Sequence, residues 1–402
     1  MKETKNVPQL RFSAFDDEWE EKNFSEITYI SATKNKSNLP LESYSITNEN
    51  GFIPQDEQFE NGGTMKDADK RMYWIVPPKS FGYNPARINV GSIGYYDGKK
   101  DVIVSSLYEI FKMTENCDDA FFWQWFKSDN LQKQVLKLQE GGVRLYFYYD
   151  KLCMGEIKIP SKGEQQKIGS LLSNLDSLIQ AKTKKLESHK AVKKSLLQKC
   201  FPKAGEKVPE MRFAGFSGDW EEKKLGEIAN IYDGTHQTPK YQSTGVKFLS
   251  VENIKNLETE KYISTADFVK DFKLYPQKGD ILMTRIGDIG TTNIYLSTEP
   301  IAFYVSLALL KPTNIDSLFL NYVIQSSFVQ NELSLHTLHT AIPKKINKNE
   351  ISLVKLLVPS SKSEQQKIGQ FFSKYDSFIS AQQKEIDKLK DIKKSLLQKM
   401  FV

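Results

Sequence analysis

Glu164-Gln165-Gln166-Lys167-Ile168-Gly169 opens a stretch that closes with Lys193-Lys194-Ser195-Leu196-Leu197-Gln198-Lys199, and the same stretch is written again 200 positions later, from Glu364 to Phe401. Between Glu164–Phe201 and its copy, 21 of 38 positions are identical. Ile168, Leu172, Leu175, Ile179, Leu186, Val192 and Leu196 recur at steps of about three and four. Ile368, Phe372, Tyr375, Ile379, Ile386, Leu389, Ile392 and Leu396 do the same in the second copy. That spacing predicts a long helix with one narrow apolar seam. Pro160 or Pro359, followed by Gly163-Glu164 or Ser363-Glu364, puts an acidic first turn after a loop, and a lysine-rich turn suits the negative end of the helix dipole. About 36 residues at 1.5 Å each make a rod roughly 55 Å long. A single seam cannot be buried by one helix alone, so the two copies are expected to pack as an antiparallel coiled coil. Each helix follows its own segment of chain, so antiparallel packing would put those segments at opposite ends, about a pseudo-twofold axis. Lys182, Gln382 and His189 fall near the middle of the seam, either fixing its register or lying exposed where it splays.

The duplication extends outward from the helices. Val7-Pro8-Gln9-Leu10-Arg11-Phe12, Phe15 and Trp19-Glu20-Glu21-Lys22 return 201 positions later as Val208-Pro209-Glu210-Met211-Arg212-Phe213, Phe216 and Trp220-Glu221-Glu222-Lys223. Between these copies lie residues 23–160 and 224–359, nearly equal in length and only sparsely alike. Arg87-Ile88-Asn89-Val90-Gly91-Ser92-Ile93-Gly94 answers to Arg285-Ile286-Gly287-Asp288-Ile289-Gly290, and each segment then runs into a helix-like stretch, Asp118–Gln139 or Asp316–Leu335. Connecting parts kept alike and working parts diverged are what a reader of two different targets requires. The boundaries read as 1–160, 161–203, 204–359 and 360–402. The fold class is α+β: two mixed α/β domains joined by two long helices.

Bulk composition bounds the function. A chain of 402 residues is long enough for two or three domains, and 12% aromatic and 39% apolar content can fill real cores. Cys117, Cys153 and Cys200 lie far apart without a CxxC pair, which argues for a reducing cytosol and against a disulfide framework or a zinc site. No apolar run reaches eighteen residues and the start leads into none, so the expectation is a cytoplasmic protein with no membrane association. A net charge of +6 is compatible with a polyanionic partner.

The variable segments carry contact chemistry. Arginine bonds guanine bidentately and asparagine bonds adenine, while glycine turns bring backbone close to phosphate. On that ground the candidate DNA contacts in the first segment are Tyr83, Asn84, Arg87, Asn89, Ser92, Arg144 and Tyr146. Those in the second are Thr235, His236, Gln237, Thr238, Lys240, Arg285, Asp288, Thr291, Lys344 and Lys345. The same loops also read as ordinary polar turns, and the argument rests on the two sets rather than on any one residue. His336 and His339 have no acidic or cysteine partner at ligand spacing, so no metal is expected. Asn84-Pro85 is followed by Ala86 and Arg87, so the Asn-Pro-Pro-aromatic motif of adenine methyltransferases is missing. There is no phosphate-binding G-x-x-x-x-G-K-[ST] loop either. No catalytic residue is expected.

The Glu-Gln-Gln-Lys-Ile helix starts, the Lys-Lys-Ser-Leu-Leu-Gln-Lys helix ends and Gly279-Asp280-Ile281-Leu282-Met283-Thr284-Arg285-Ile286-Gly287-Asp288-Ile289-Gly290 together resemble the specificity subunits of type I restriction-modification systems. Thr235 to Gly245 looks like the opening of such a domain, whereas residues 31–51 depart from it. The resemblance covers nearly the whole chain. It implies two target recognition domains alternating with two helical spacers, and a bipartite, asymmetric site on double-stranded DNA. It also implies two modification subunits, which bind S-adenosylmethionine and methylate adenine. Two restriction subunits, which use ATP and magnesium and cut, would complete the assembly. A two-headed scaffold with protein-binding heads would share the repeat, and the absence of a modification-subunit gene nearby would favour it.

Overall fold

The computed structural model describes residues 6–58, 69–139 and 145–402. Helices Lys162–Lys199 and Lys362–Lys399 form over the repeated stretches. Their shared Glu-Gln-Gln-Lys-Ile-Gly start has a task for most of its members. Glu164 is buried and accepts Nε and Nη2 of Arg11, both at 2.8 Å. Glu364 accepts the same two atoms of Arg212 at 2.7 and 2.8 Å. The guanidinium fork matches a carboxylate in two parallel bonds, which fixes the arm before Trp19 or Trp220 against the helix start. Gln165 spans Pro160 O and the amide of Asp118, and Gln365 spans Pro359 O and the amide of Asp316. Those two aspartates cap the next helices through the amides of Phe121 and Phe319. One glutamine thus joins the strand end, the cap and the long helix.

The chain divides into two compact units, Met1–Thr183 with Glu385–Val402, and Lys184–Lys384. Each unit therefore takes the start of one long helix and the end of the other. In the first, Glu20–Asn23 pairs with Glu156–Ile159. An antiparallel sheet runs in the order Thr28–Ile30, Glu109–Met113, Ser80–Tyr83, Ile93–Tyr96. A second sheet runs Thr33–Lys34, Trp74–Val76, Val102–Val104, Ser43–Thr47, Gly51–Pro54, with its third and fourth strands parallel. The second unit repeats the plan. Glu221–Lys224 pairs with Lys355–Val358, and a sheet runs Ala229–Asp233, Leu307–Pro312, Ile281–Ile286, Asp288–Ile294. A smaller sheet contains the parallel pair Val246–Leu249 and Ile301–Phe303. The helix-like stretch of each segment is two helices, Asp119–Phe126 and Asp129–Leu138, or Ser317–Ile324 and Ser327–Leu335. The break falls at Ser128 and Ser326, whose hydroxyls donate to Trp125 O and Val323 O while accepting from the helix that follows.

Within each unit the two helix pieces run antiparallel, because partners rise along one as they fall along the other. In the first unit Asp176 meets Lys393 and Lys182 meets Glu385, the latter at 2.9 Å. In the second Lys193 meets Asp376 at 2.6 Å and the His189 ring lies edge-on to Phe378 with centroids 4.9 Å apart. The seam has two kinds of member. Ile168 and Leu172, and likewise Ile368 and Phe372, belong to the domain cores, packed with Trp19 and Phe121 or with Trp220 and Phe319. Leu186 and Ile386 are buried, while Leu175, Ile179, Leu196, Tyr375, Ile379, Leu389 and Leu396 are half-buried. Val192 and Ile392, expected in the seam, are exposed: here the helices turn Leu196-Leu197 or Leu396-Leu397 toward the domain cores instead. Phe401 closes on Phe121 in the first unit, and Phe201 on Trp220 and Phe319 in the second.

Asp176 takes Gln124 Nε2 at 2.9 Å, Lys127 Nζ at 2.7 Å and Lys393. Burial, and then the charge of Lys393, pull the Lys127 ammonium from 10.5 down to about 8. An amine lowered on folding carries a cost that is complete below pH 8 and is relieved as pH rises toward its unfolded value. Urea unfolding at pH 7 and pH 10 is therefore expected to show wild type gaining on Lys127→Met as pH rises. A gap that stays flat would mean that Lys127 titrates as it does in water.

Candidate nucleic-acid interface

In the second unit three loops are tied together by Arg285. This residue lies near the end of strand Ile281–Ile286, 6% exposed, with Nη1 on the carboxylate of Asp233 and Nε donating to Ile346 O at 3.1 Å. Asp233 ends the strand that leads into loop 234–240, and Ile346 closes loop 338–345. The hairpin turn adds backbone ties. Gly287, at φ +79°, turns Ile286 back against Asp288, donates its amide to Lys344 O at 2.8 Å and leaves Ile346 N to bond Arg285 O at 3.0 Å. Gly234 passes so close to Tyr304 that a Cβ there would lie 2.4 Å from its carbonyl oxygen, so the first loop needs glycine at its root.

These ties leave His236, Gln237, Thr238, Lys240, Asp288, Lys344 and Lys345 exposed, with Thr235 and Thr291 half-buried. Arg285 requires a correction. Its fork is spent on Asp233 and the Ile346 carbonyl, so it positions the loops rather than contacting bases. Nor does it occupy the place of Arg87. Phe147 N bonds Pro85 O in the first unit as Ile346 N bonds Arg285 O in the second, so Pro85 holds the corresponding backbone position.

In the first unit the turn is longer. Loop 84–92 closes with Asn84 N on Ser92 O at 3.0 Å, and Asn84 Oδ1 accepts from Ala86 N at 3.0 Å. Arg87 and Asn89 are exposed and Asn84 is half-buried. Tyr146 stacks on Tyr148 with ring centroids 5.5 Å apart and planes 3° from parallel. Asn84 and Arg87 line a cleft of about 610 Å³ with Asn48, Glu49 and Asn50. Tyr83 and Ser92 are corrections. Tyr83 is wholly buried between Phe111 and Phe147, in a strand whose four residues are all buried, and Ser92 Oγ donates to Ile46 O at 3.2 Å. Arg144 lies outside the described residues.

Sequence reasoning passed over Asp233 and the Asn48-Glu49-Asn50 turn. The Asn-Glu-Asn-Gly composition was a turn signal for the latter. Nothing local marks Asp233, which matters only through Arg285. His336 Nδ1 lies 2.7 Å from Glu350 Oε2, and His339 donates to Ser334 O. Among the described residues no helix is long and apolar enough to cross a membrane.

Residues 16–188 and 217–391 both match the family model described as the type I restriction modification DNA specificity domain. The chain is 27% identical over 328 residues to the MjaVIII type I restriction enzyme specificity subunit of Methanocaldococcus jannaschii, covering 77% of this chain and 75% of that one. Its fold is similar to that of the type I restriction-modification S subunit from M. genitalium, with a TM-score of 0.63, 14% identity, and coverage of 98% of this chain and 99% of that one. A chain from a structural study of type I R-M complex assembly and conformational transition aligns with a TM-score of 0.55 and 16% identity, over 95% of this chain and 97% of that one.

Proposed function

The chain belongs to the type I restriction modification DNA specificity family, and from that premise we propose that it reads a bipartite, asymmetric site on double-stranded DNA, with one half-site for each unit. The observation that carries this reading is that the two units share a strand plan and a helix-start lock while presenting different loops. In the first unit the contacts are Asn84, Arg87, Asn89 and Tyr146. In the second they are His236, Gln237, Thr238, Lys240, Asp288, Lys344 and Lys345. Exposed lysines meet phosphates, and the amide, imidazole and guanidinium groups reach base edges.

Two modification subunits dock on the repeated helical regions in this reading. They bring S-adenosylmethionine and methylate adenine, and two restriction subunits bring ATP hydrolysis, magnesium and cleavage. This chain contributes recognition and takes no catalytic step. The deciding experiment is single-molecule sequencing of methylated adenine in a methylation-free host that expresses the chain with its neighbouring modification subunit. A two-part motif, absent without this chain and altered in one half when residues 224–359 are exchanged, is expected. No modified adenine despite a soluble complex would overturn the reading.

Helix length sets the gap between half-sites in this proposal. Removing seven residues from each long helix shortens it by about 10 Å, roughly three base pairs. The methylated motif is expected to lose about that much of its gap, or methylation to cease. A shortened protein that modifies the original motif would rule out the spacer role.

A further inference from the structure

Among the described residues the most exposed large apolar side chain is Ile342, with 100% of its surface free. It stands in a loop whose backbone is held at both sides. Leu338 N donates to Lys345 O at 2.8 Å, Ala341 N to Leu338 O at 3.4 Å, and Gly287 N to Lys344 O at 2.8 Å. Pro343 follows it and restricts the chain further. Lys344 and Lys345 are exposed beside it, and the hairpin turn that carries Asp288 lies under the same hydrogen bonds. A loop anchored at both sides that lifts one branched aliphatic side chain clear of the surface, next to two cations, has the parts of a wedge. The cations hold phosphates, and the apolar group enters between bases that part at a flexible step. The first segment carries Val143 four residues before buried Phe147, as Ile342 precedes buried Ile346 by four, so the sequence offers a branched aliphatic residue at the same place in both copies.

We propose that Ile342 is a specificity-determining residue that inserts between neighbouring base pairs of the half-site read by the second unit, an inference that rests on the DNA-reading function above. Contact with one thymine methyl group would need only one face of the side chain. Insertion needs every face free and a backbone anchored on both sides of the side chain, and both hold here. The preferred step is then one that unstacks readily, a pyrimidine followed by a purine.

The test uses the full chain in complex with its modification subunits, on duplexes carrying the motif found by methylation sequencing. 2-Aminopurine replaces each base of the second half-site in turn, except the adenine that is methylated. Wild type and Ile342→Leu are expected to raise fluorescence at one step. Ile342→Ser, a change at a wholly exposed position, is expected to abolish that rise and weaken binding roughly ten- to a hundredfold. Unchanged affinity and fluorescence for Ile342→Ser overturn the inference alone. Equal loss on replacing one thymine by deoxyuridine, with no fluorescence change in wild type, indicates a methyl contact and also overturns it. A wild-type complex with no sequence preference overturns the DNA-reading function and the wedge with it.

Discussion

Arg212→Ala is expected to destabilise the second unit by roughly 3–5 kcal/mol, the cost of leaving a buried carboxylate without its partner. Glu364 is 1% exposed at its side chain, and Arg212 supplies two bonds to it and two more to the carbonyls of Ser217 and Gly218. The loss should appear in urea unfolding as a lower midpoint, and in proteolysis as earlier cutting around the arm before Trp220. Arg11→Ala is expected to do the same to the first unit through Glu164, whose side chain is 0% exposed. The double variant Arg212→Met, Glu364→Leu separates causes. Replacing both partners with apolar groups of similar bulk removes the stranded charge, so most of the stability should return. If Arg212→Ala unfolds at the wild-type midpoint, the lock between arm and helix start contributes nothing.

Gly369→Val is expected to reverse the usual sign of a helical glycine substitution. Replacing a mid-helix glycine normally helps, by about 0.5–1 kcal/mol for alanine, since it removes chain entropy from the unfolded state. Here a Cβ would stand 2.7 Å from the amide nitrogen of Phe319 and 2.7 Å from Leu318 Cβ. At Gly169 the corresponding atom is Phe121 N, at 2.6 Å. Backbone cannot rotate away as a side chain can, so helix Ser317–Ile324 must shift and weaken the bracket of Gln365 on Asp316. Overpacking of this kind costs about 1–3 kcal/mol. Thermal unfolding should show a clear fall in Tm for Gly369→Val and Gly169→Val. Gly163→Ala is the control, because its added Cβ would meet only Phe15 Cε1 at 3.8 Å. A fall as large for Gly163→Ala would show that close packing is not what makes Gly169 and Gly369 sensitive to a side chain.

The duplication, the two long helices and their antiparallel sense were legible in the sequence because periodicity and repetition are local properties of the chain. Glu-Gln-Gln-Lys-Ile-Gly could be seen as a repeated motif, but not as a lock. Its partners Arg11 and Arg212 lie 153 and 152 residues away, and only folding brings them together. The candidate contacts divide on the same ground. His236, Gln237, Lys240, Lys344 and Lys345 sit on loops, where composition and exposure go together. Tyr83, Ser92 and Arg285 have the same residue types that read DNA, yet they lie at or beside the ends of strands covered on both faces, where neighbouring segments bury them. Val192 and Ile392 kept the apolar spacing of a seam although the fold leaves both exposed. A sequence specifies which residues can form a helix, a turn or a contact, through propensities that act over a few positions. Which of them meet solvent, a core or a buried charge depends on surfaces assembled from distant segments, and that only the tertiary structure decided.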